Sequence, residues 1–149
     1  KNEMAIQKLN KIKNRRGPIS VLAPSKKSVS DWLSIPQKYK NEVLEKIGGP
    51  KTVIVPIKTG IVSKNIIANN NTLGIRIPDH PFCHKISNTY ENPITTTSVN
   101  RTGQEPLFDP DLIEHEFHNE IELIIEDGII KGIGSSILFF EEFKWKILR

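Results

Sequence analysis

The sequence predicts a fold of the α/β class. Two observations carry this. Apolar patterns of helical period and short β-branched runs intermix along the whole chain. The 149 residues are 37% hydrophobic and 26% charged, which suits one globular domain with one core.

Each element has its own signal. Met4, Ala5, Ile6, Leu9 and Ile12 recur at helical spacing over residues 2–13, and Gly17-Pro18 ends that run. Ile19 to Ala23 reads as a strand stopped by Pro24. Ser28 or Ser30 is expected to cap a short helix carrying Val29, Trp32 and Leu33. Pro36 suits the first position of the next helix, which turns Val43, Leu44 and Ile47 inward and stops at Gly48-Gly49. Thr52 to Ile57 is a β-branched strand, Asn69-Asn70-Asn71 a loop, and Leu73 to Ile77 a further strand. Asp79 is expected to cap a helix opened by His80-Pro81 and carrying Phe82, Cys83 and Ile86. Ile94 to Thr97 reads as a short strand. Asp109 or Asp111 starts the helix of Leu112, Ile113 and Phe117. Ile121–Ile125, Ser136–Phe140 and Phe143–Leu148 read as the last three strands, with a turn at Asp127-Gly128.

Composition narrows the function. No apolar run approaches the roughly 18 residues of a membrane span, and the opening Lys1-Asn2-Glu3-Met4 lacks the apolar stretch of a signal peptide. One cysteine, Cys83, forms no internal disulfide, so the expected setting is the cytoplasm, with no membrane partner. A net charge of +4 permits a phosphate-bearing partner. Neither a Walker-type phosphate loop nor a dinucleotide fingerprint occurs. His115 and His118 have no evident third ligand and read as surface residues, so no metal site is expected. Adjacent Cys83 and His84 point in different directions on a helix and do not make a nucleophile pair.

Six motifs remain. Lys13-Asn14-Arg15 ends a helix; its charges complement the helix dipole and also suit phosphate. Gly48-Gly49-Pro50-Lys51-Thr52 precedes a buried strand and by itself is a common connector. In Thr72-Leu73-Gly74-Ile75-Arg76-Ile77-Pro78-Asp79-His80-Pro81, alternating apolar residues put Arg76 on the opposite strand face, where a fixed base makes it a clamp for carboxylate or phosphate. Thr95-Thr96-Thr97-Ser98-Val99-Asn100-Arg101-Thr102-Gly103-Gln104-Glu105-Pro106 is a strand running into a hydroxyl-rich, Gly-containing loop suited to phosphate oxygens. Gly132-Ile133-Gly134-Ser135-Ser136-Ile137-Leu138 is a glycine-lined entry to a strand, and Ile147-Leu148-Arg149 is the terminal motif.

In this order, from about Ala5 to Arg149, these segments resemble the YrdC family of threonylcarbamoyl-AMP synthases. Arg-x-Pro-Asp-His-Pro and Ser-x-Asn-x-x-Gly are the most specific of them. The resemblance implies a single YrdC-like domain over residues 1–149: a twisted mixed sheet, helices around it, and an electropositive concave face. It implies a nucleotidyltransferase that makes threonylcarbamoyl-AMP and pyrophosphate from L-threonine, bicarbonate and ATP, with Mg²⁺ accompanying the ATP. The partners implied are tRNA or double-stranded RNA and the machinery that transfers the threonylcarbamoyl group to tRNA. Lys13, Arg15, Thr72, Ser98, Asn100 and Arg149 would face ATP; Arg76, Thr96 and Ser135 would hold threonine. No catalytic nucleophile is implied. The family's opening strand and Pro-Thr-Asp-Thr-x-Tyr-Gly-Leu loop are expected to be absent from this chain. Two other readings stand beside this one. One is a non-catalytic module that binds RNA or nucleotides. The other is the YrdC-like part of a hydrogenase-maturation carbamoyltransferase, which would sit among zinc-finger-like cysteines.

Overall fold

The computed structural model describes residues 2–132 and 134–149. Lys1 and Ile133 lie outside them, and with Ile133 the middle of the Gly132-Ile133-Gly134 motif. In chain order the elements are α1 (Glu3–Ile12), β1 (Ser20–Leu22), α2 (Lys26–Trp32), α3 (Gln37–Lys46), β2 (Lys51–Pro56), β3 (Thr72–Arg76), α4 (Pro81–Thr89), β4 (Ile94–Thr96), α5 (Pro110–Phe117), β5 (Ser136–Glu141) and β6 (Lys144–Ile147). The described chain divides into two compact units: residues 17–96 with 134–149, and residues 2–16 with the described part of 97–133.

The first unit holds a six-stranded sheet in the order β4-β1-β3-β2-β5-β6. It is mixed: β1 runs parallel to β3 and β2 to β5, and the other neighbours are antiparallel. Strand alternation sorts the side chains. Val21, Val53, Val55, Leu73 and Ile75 are buried on one face, and the core also takes Val29 and Trp32 from α2 and Val43 from α3. Tyr39 of α3 meets Phe140 of β5, ring centroids 5.7 Å apart, and Trp145 of β6 packs on the same Phe140 at 4.9 Å. The registers put Ser20, Gly74 and Ile54 together on the opposite face, with Thr96 beside Ser20. Arg76 and Thr52 lie two residues along on that face.

The second unit holds α1, α5 and the loops after β4 and α5. Asn2 caps α1 by accepting from the Ala5 N–H at 3.1 Å. Asp109 caps α5 by accepting from the Asp111 N–H at 3.0 Å.

Local readings needed four corrections. Ser25, not Ser28 or Ser30, caps α2: its backbone is extended, so its hydroxyl reaches the Ser28 N–H at 3.1 Å. Pro36 occupies the N-cap of α3, one position ahead of the first helical residue. His80, not Asp79, caps α4. The helix begins at Pro81, so the ring Nδ1 of His80 accepts from Phe82 N–H at 3.3 Å, while Asp79 pairs with His84 Nε2 at 3.3 Å. Ile121–Ile125 is not a strand. No strand pairs with it among the described residues, and β-propensity without a ladder partner does not hold an extended segment.

Candidate functional site

In the first unit the chemistry gathers on the polar face of the sheet. Arg76, at the end of β3, is half-buried, and its Nε is a buried donor with no hydrogen-bond partner. Burial, and then the charge of Arg149, pull its guanidinium below the ordinary arginine value. Thr52 on neighbouring β2 is 4% exposed, and its hydroxyl is also buried without a partner. Native interiors rarely leave such groups unsatisfied, so these two atoms on one face are candidates for contact with water or a ligand. Gly74 keeps that face open. A Cβ there would come within 3.1 Å of Ser20 Cβ and 3.3 Å of Thr52 Cγ2. Ser20 donates to the Thr96 carbonyl at 3.1 Å, and the two hydroxyls lie 3.2 Å apart. Arg149 folds back over Gly134, donating from Nε and Nη2 to the Ser135 carbonyl at 3.1 and 2.9 Å.

In the second unit α1 ends on a cationic cluster. Asn14 adopts the left-handed conformation, φ 51°. The Arg15 N–H then reaches the Asn10 carbonyl and the Asn14 N–H the Lys11 carbonyl, both at 3.0 Å, which is a Schellman stop. Lys13, the C-cap, is only 6% exposed. Its Nζ donates to two neutral oxygens, the Ser98 carbonyl at 2.8 Å and Asn100 Oδ1. Burial first, then Arg15, pull the Lys13 ammonium below its ordinary value. Ser98 donates to Asn100 Oδ1 at 2.7 Å, and Asn100 Nδ2 to the Gln104 carbonyl at 2.6 Å, so the loop is prepaired around the ammonium. That loop also finishes α1. Thr102 donates twice to the Lys13 carbonyl, and Arg101 Nη1 donates to the Ile12 carbonyl at 3.1 Å. Arg101 is further held by Glu116 and Glu120 and by the Phe117 ring.

The residues singled out from sequence thus fall into two sets. Arg76, Arg149, Ser135 and Thr96 belong to the first unit, with Arg149 touching Ser135 and acting electrostatically on Arg76. Lys13, Ser98 and Asn100 form one hydrogen-bonded cluster in the second, with exposed Arg15 two residues from Lys13. Thr72 is 4% exposed, and its hydroxyl donates to the Asn69 carbonyl at 3.1 Å. Motif reading did not assign Thr52, Ser20 or Gly74, although each sits inside a noted segment; a polar or glycine residue on a strand flanked by apolar neighbours was the available signal. Burial raises the Cys83 thiol, which leaves it a poor nucleophile. Among the described residues no three His, Cys, Asp or Glu side chains are grouped to hold a metal ion, and no helix is long and apolar enough to cross a membrane.

Comparison with known proteins gives the family and the fold. The Sua5_yciO_yrdC family model, described as telomere recombination, matches residues 1–149. A putative threonylcarbamoyl-AMP synthase of Methanocaldococcus jannaschii is 32% identical over 96% of this chain and 68% of its own length. A threonylcarbamoyl-AMP synthase of Vibrio campbellii is 30% identical over 83% of this chain and 69% of its own length. The crystal structure of P. abyssi Sua5 complexed with L-threonine superposes with a TM-score of 0.85 at 22% identity, covering 99% of this chain; the chain spans 44% of that protein. The mixed six-stranded sheet with its helices is the fold of that neighbour. The chain belongs to the Sua5/YciO/YrdC family.

Proposed function

We propose that this chain is a threonylcarbamoyl-AMP synthase domain, a nucleotidyltransferase using L-threonine, bicarbonate and ATP. The observation that carries the reading is a pair of cation centres, each next to a second cation and with no carboxylate bonded to it among the described residues. Arg76 keeps a buried, unpartnered Nε beside Arg149, and Lys13 is buried against neutral oxygens. Each is a site where an anion would relieve a desolvated charge. Curated relatives bearing this activity, and a structural neighbour that binds L-threonine, support the same assignment.

In this reading Arg76 takes the threonine carboxylate, and Thr96 and Ser135 bound the rest of the amino acid. Lys13, Arg15 and Arg149 neutralise phosphate charge, and Ser98 and Asn100 hydrogen-bond the nucleotide. Thr72, whose hydroxyl is engaged, shapes the nucleotide side from the head of β3. The threonine ammonium first loses a proton to solvent; the free amine attacks the bicarbonate carbon, an N–H proton joins the departing hydroxide as water, and a carbamate forms. A carbamate oxygen then attacks the α-phosphorus, the bond to the β-phosphate breaks, and pyrophosphate departs. Such a sequence requires positioning and charge neutralisation rather than an enzyme nucleophile. Among the described residues no three His, Cys, Asp or Glu side chains group to hold a cation, and in this reading Mg²⁺ would come with the ATP phosphates, with no step assigned to it. The product would pass to the machinery that modifies tRNA.

The test is pyrophosphate release from this chain with the three substrates, each omitted in turn. Release that requires both threonine and bicarbonate is the expected result; release indifferent to threonine would sink the reading. The non-catalytic RNA-binding alternative is favoured by one fact: all 21 Lys and Arg lie outside residues 102–130. Salt-sensitive tRNA binding without any threonine affinity would select it.

A further inference from the structure

On the polar face of the first unit the hydroxyl protons have definite destinations. β1 and β4 pair antiparallel with Ser20 opposite Thr96, and the β1–β3 register sets Ser20 beside Gly74. The Ser20 hydroxyl lies 3.1 Å from the Thr96 carbonyl and 3.2 Å from the Thr96 hydroxyl. A carbonyl has no proton to give, so the single Ser20 proton goes there. The Thr96 proton then goes to Ser20 Oγ. Both protons are engaged, and this half-buried pair offers a ligand only lone pairs. One pleat along the same face the opposite holds. Arg76 Nε–H has no acceptor, and the hydroxyl of Thr52, a residue 4% exposed, has no partner. One step past the Val53–Ile75 pair, the β2–β3 register sets these two residues across from each other. Gly74, bare of side chain, lies between Ser20 and Thr52.

We infer that Ser20 accepts the side-chain hydroxyl proton of the amino-acid substrate and so sets a preference for a β-hydroxy amino acid. This role rests on the functional reading above, in which Arg76 takes the carboxylate and Thr96 bounds the rest of the molecule. A carboxylate has two acceptor oxygens and matches the donor row of Arg76 and Thr52. The donor and acceptor rows are two residues apart along the strands, about 6–7 Å. A small amino acid covers that span with a hydrogen bond at each end, which brings its hydroxyl, a donor, to the acceptor row. The substrate's other donor is its amine, which has to lose a proton to solvent and reach bicarbonate, and so belongs on the open side of the amino acid. An analogue without the hydroxyl would cover the Ser20 and Thr96 lone pairs with carbon and leave them unsatisfied, a cost that produces selectivity.

Calorimetry on the 149-residue chain tests this with L-threonine and L-2-aminobutyrate, which differ only in the hydroxyl. Wild type is compared with Ser20→Ala and with the nearly isosteric Ser20→Cys, whose thiol is a weak acceptor. Wild type is expected to favour threonine. Either variant should lower the threonine-to-aminobutyrate affinity ratio at least about fivefold, as for one lost hydrogen bond. Aminobutyrate affinity itself should stay at its wild-type value. The ratio isolates the hydroxyl, because damage to the fold or to the carboxylate contact moves both ligands together. Should Ser20→Ala not fold, Ser20→Cys decides. Equal losses for both ligands would place Ser20 at the amine or in the fold and overturn the inference. So would an unchanged ratio, or wild type that binds the two amino acids alike. Wild type that binds neither would overturn the functional reading itself, and this role of Ser20 with it.

Discussion

Arg76 and Thr52 each leave a polar atom buried without a partner, on one face of the sheet and on adjacent strands. If an amino-acid carboxylate fills that position, Arg76→Ala removes threonine binding below calorimetric detection, while Thr52→Ser retains it. Thr52→Val keeps the shape and deletes the orphan hydroxyl. It is expected to weaken threonine binding by about 1 kcal/mol, the net worth of one hydrogen bond, without changing ATP affinity. A Thr52→Val protein that is merely more stable, with threonine affinity intact, would assign the hydroxyl no ligand role. On the nucleotide side, Ser98→Ala or Arg15→Ala is expected to cost ATP binding about 1–3 kcal/mol, as for lost hydrogen bonds to a charged group. Unchanged affinity in both would remove them from the site. Lys13 carries a pH signature. Its ammonium is held below the ordinary 10.5, so the folded chain sheds that proton before the unfolded chain does. The unfolded state then binds more protons between the depressed value and 10.5, and stability rises with pH across that window. Wild type should therefore gain on Lys13→Met in thermal unfolding as pH climbs through it. A difference that is flat in pH would contradict the burial cause.

Among the elements, two turns carry backbone strain that sequence chemistry can relieve or worsen. The β5–β6 hairpin places Glu142 and Phe143 at φ 50° and 61°, the left-handed pair of a type I′ turn without its usual Asn-Gly. Phe143 stacks on Tyr39 at 4.9 Å, which offsets its conformational cost. Glu142→Asn should then stabilise the chain by about 1 kcal/mol in chemical denaturation, because Asn tolerates the left-handed region. At the end of α1, Asn14→Gly should be neutral or stabilising and Asn14→Val destabilising by about 1–2 kcal/mol. The β3 position is less tolerant. Gly74→Ala drives a Cβ against Ser20 and Thr52, and is expected to cost about 1–3 kcal/mol as overpacking does. It should also lower threonine affinity by closing the polar face. These elements also show how far local reading goes. The helix periods of α1, α3 and α5 and the β-branched run of β2 were legible because each answers to its own residues. The caps of α2 and α4 were misplaced because a one-residue shift in where the helix begins changes which side chain faces the free N–H groups.

Across the whole molecule, the proposed threonine residues and most of the proposed phosphate residues lie on different compact units. Amide exchange can read this directly. Threonine alone should slow exchange in β1 and β3 of the first unit. ATP alone should slow exchange around Lys13–Arg15 and Ser98–Asn100 of the second. Protection of both sets by threonine alone would contradict the division of labour. By itself the sequence determined the α/β class, most element positions, the family, and the motifs within which the candidate residues lie. These depend on local periodicity, turn chemistry and residue identity, all written in short windows. Only the tertiary structure decided that Thr52 and Arg76 share a face, that Ser98 and Asn100 close on Lys13, and that Ile121–Ile125 lacks a ladder partner. Each of these rests on groups far apart in the chain. Strand register and loop closure, not local preference, determine whether such groups meet.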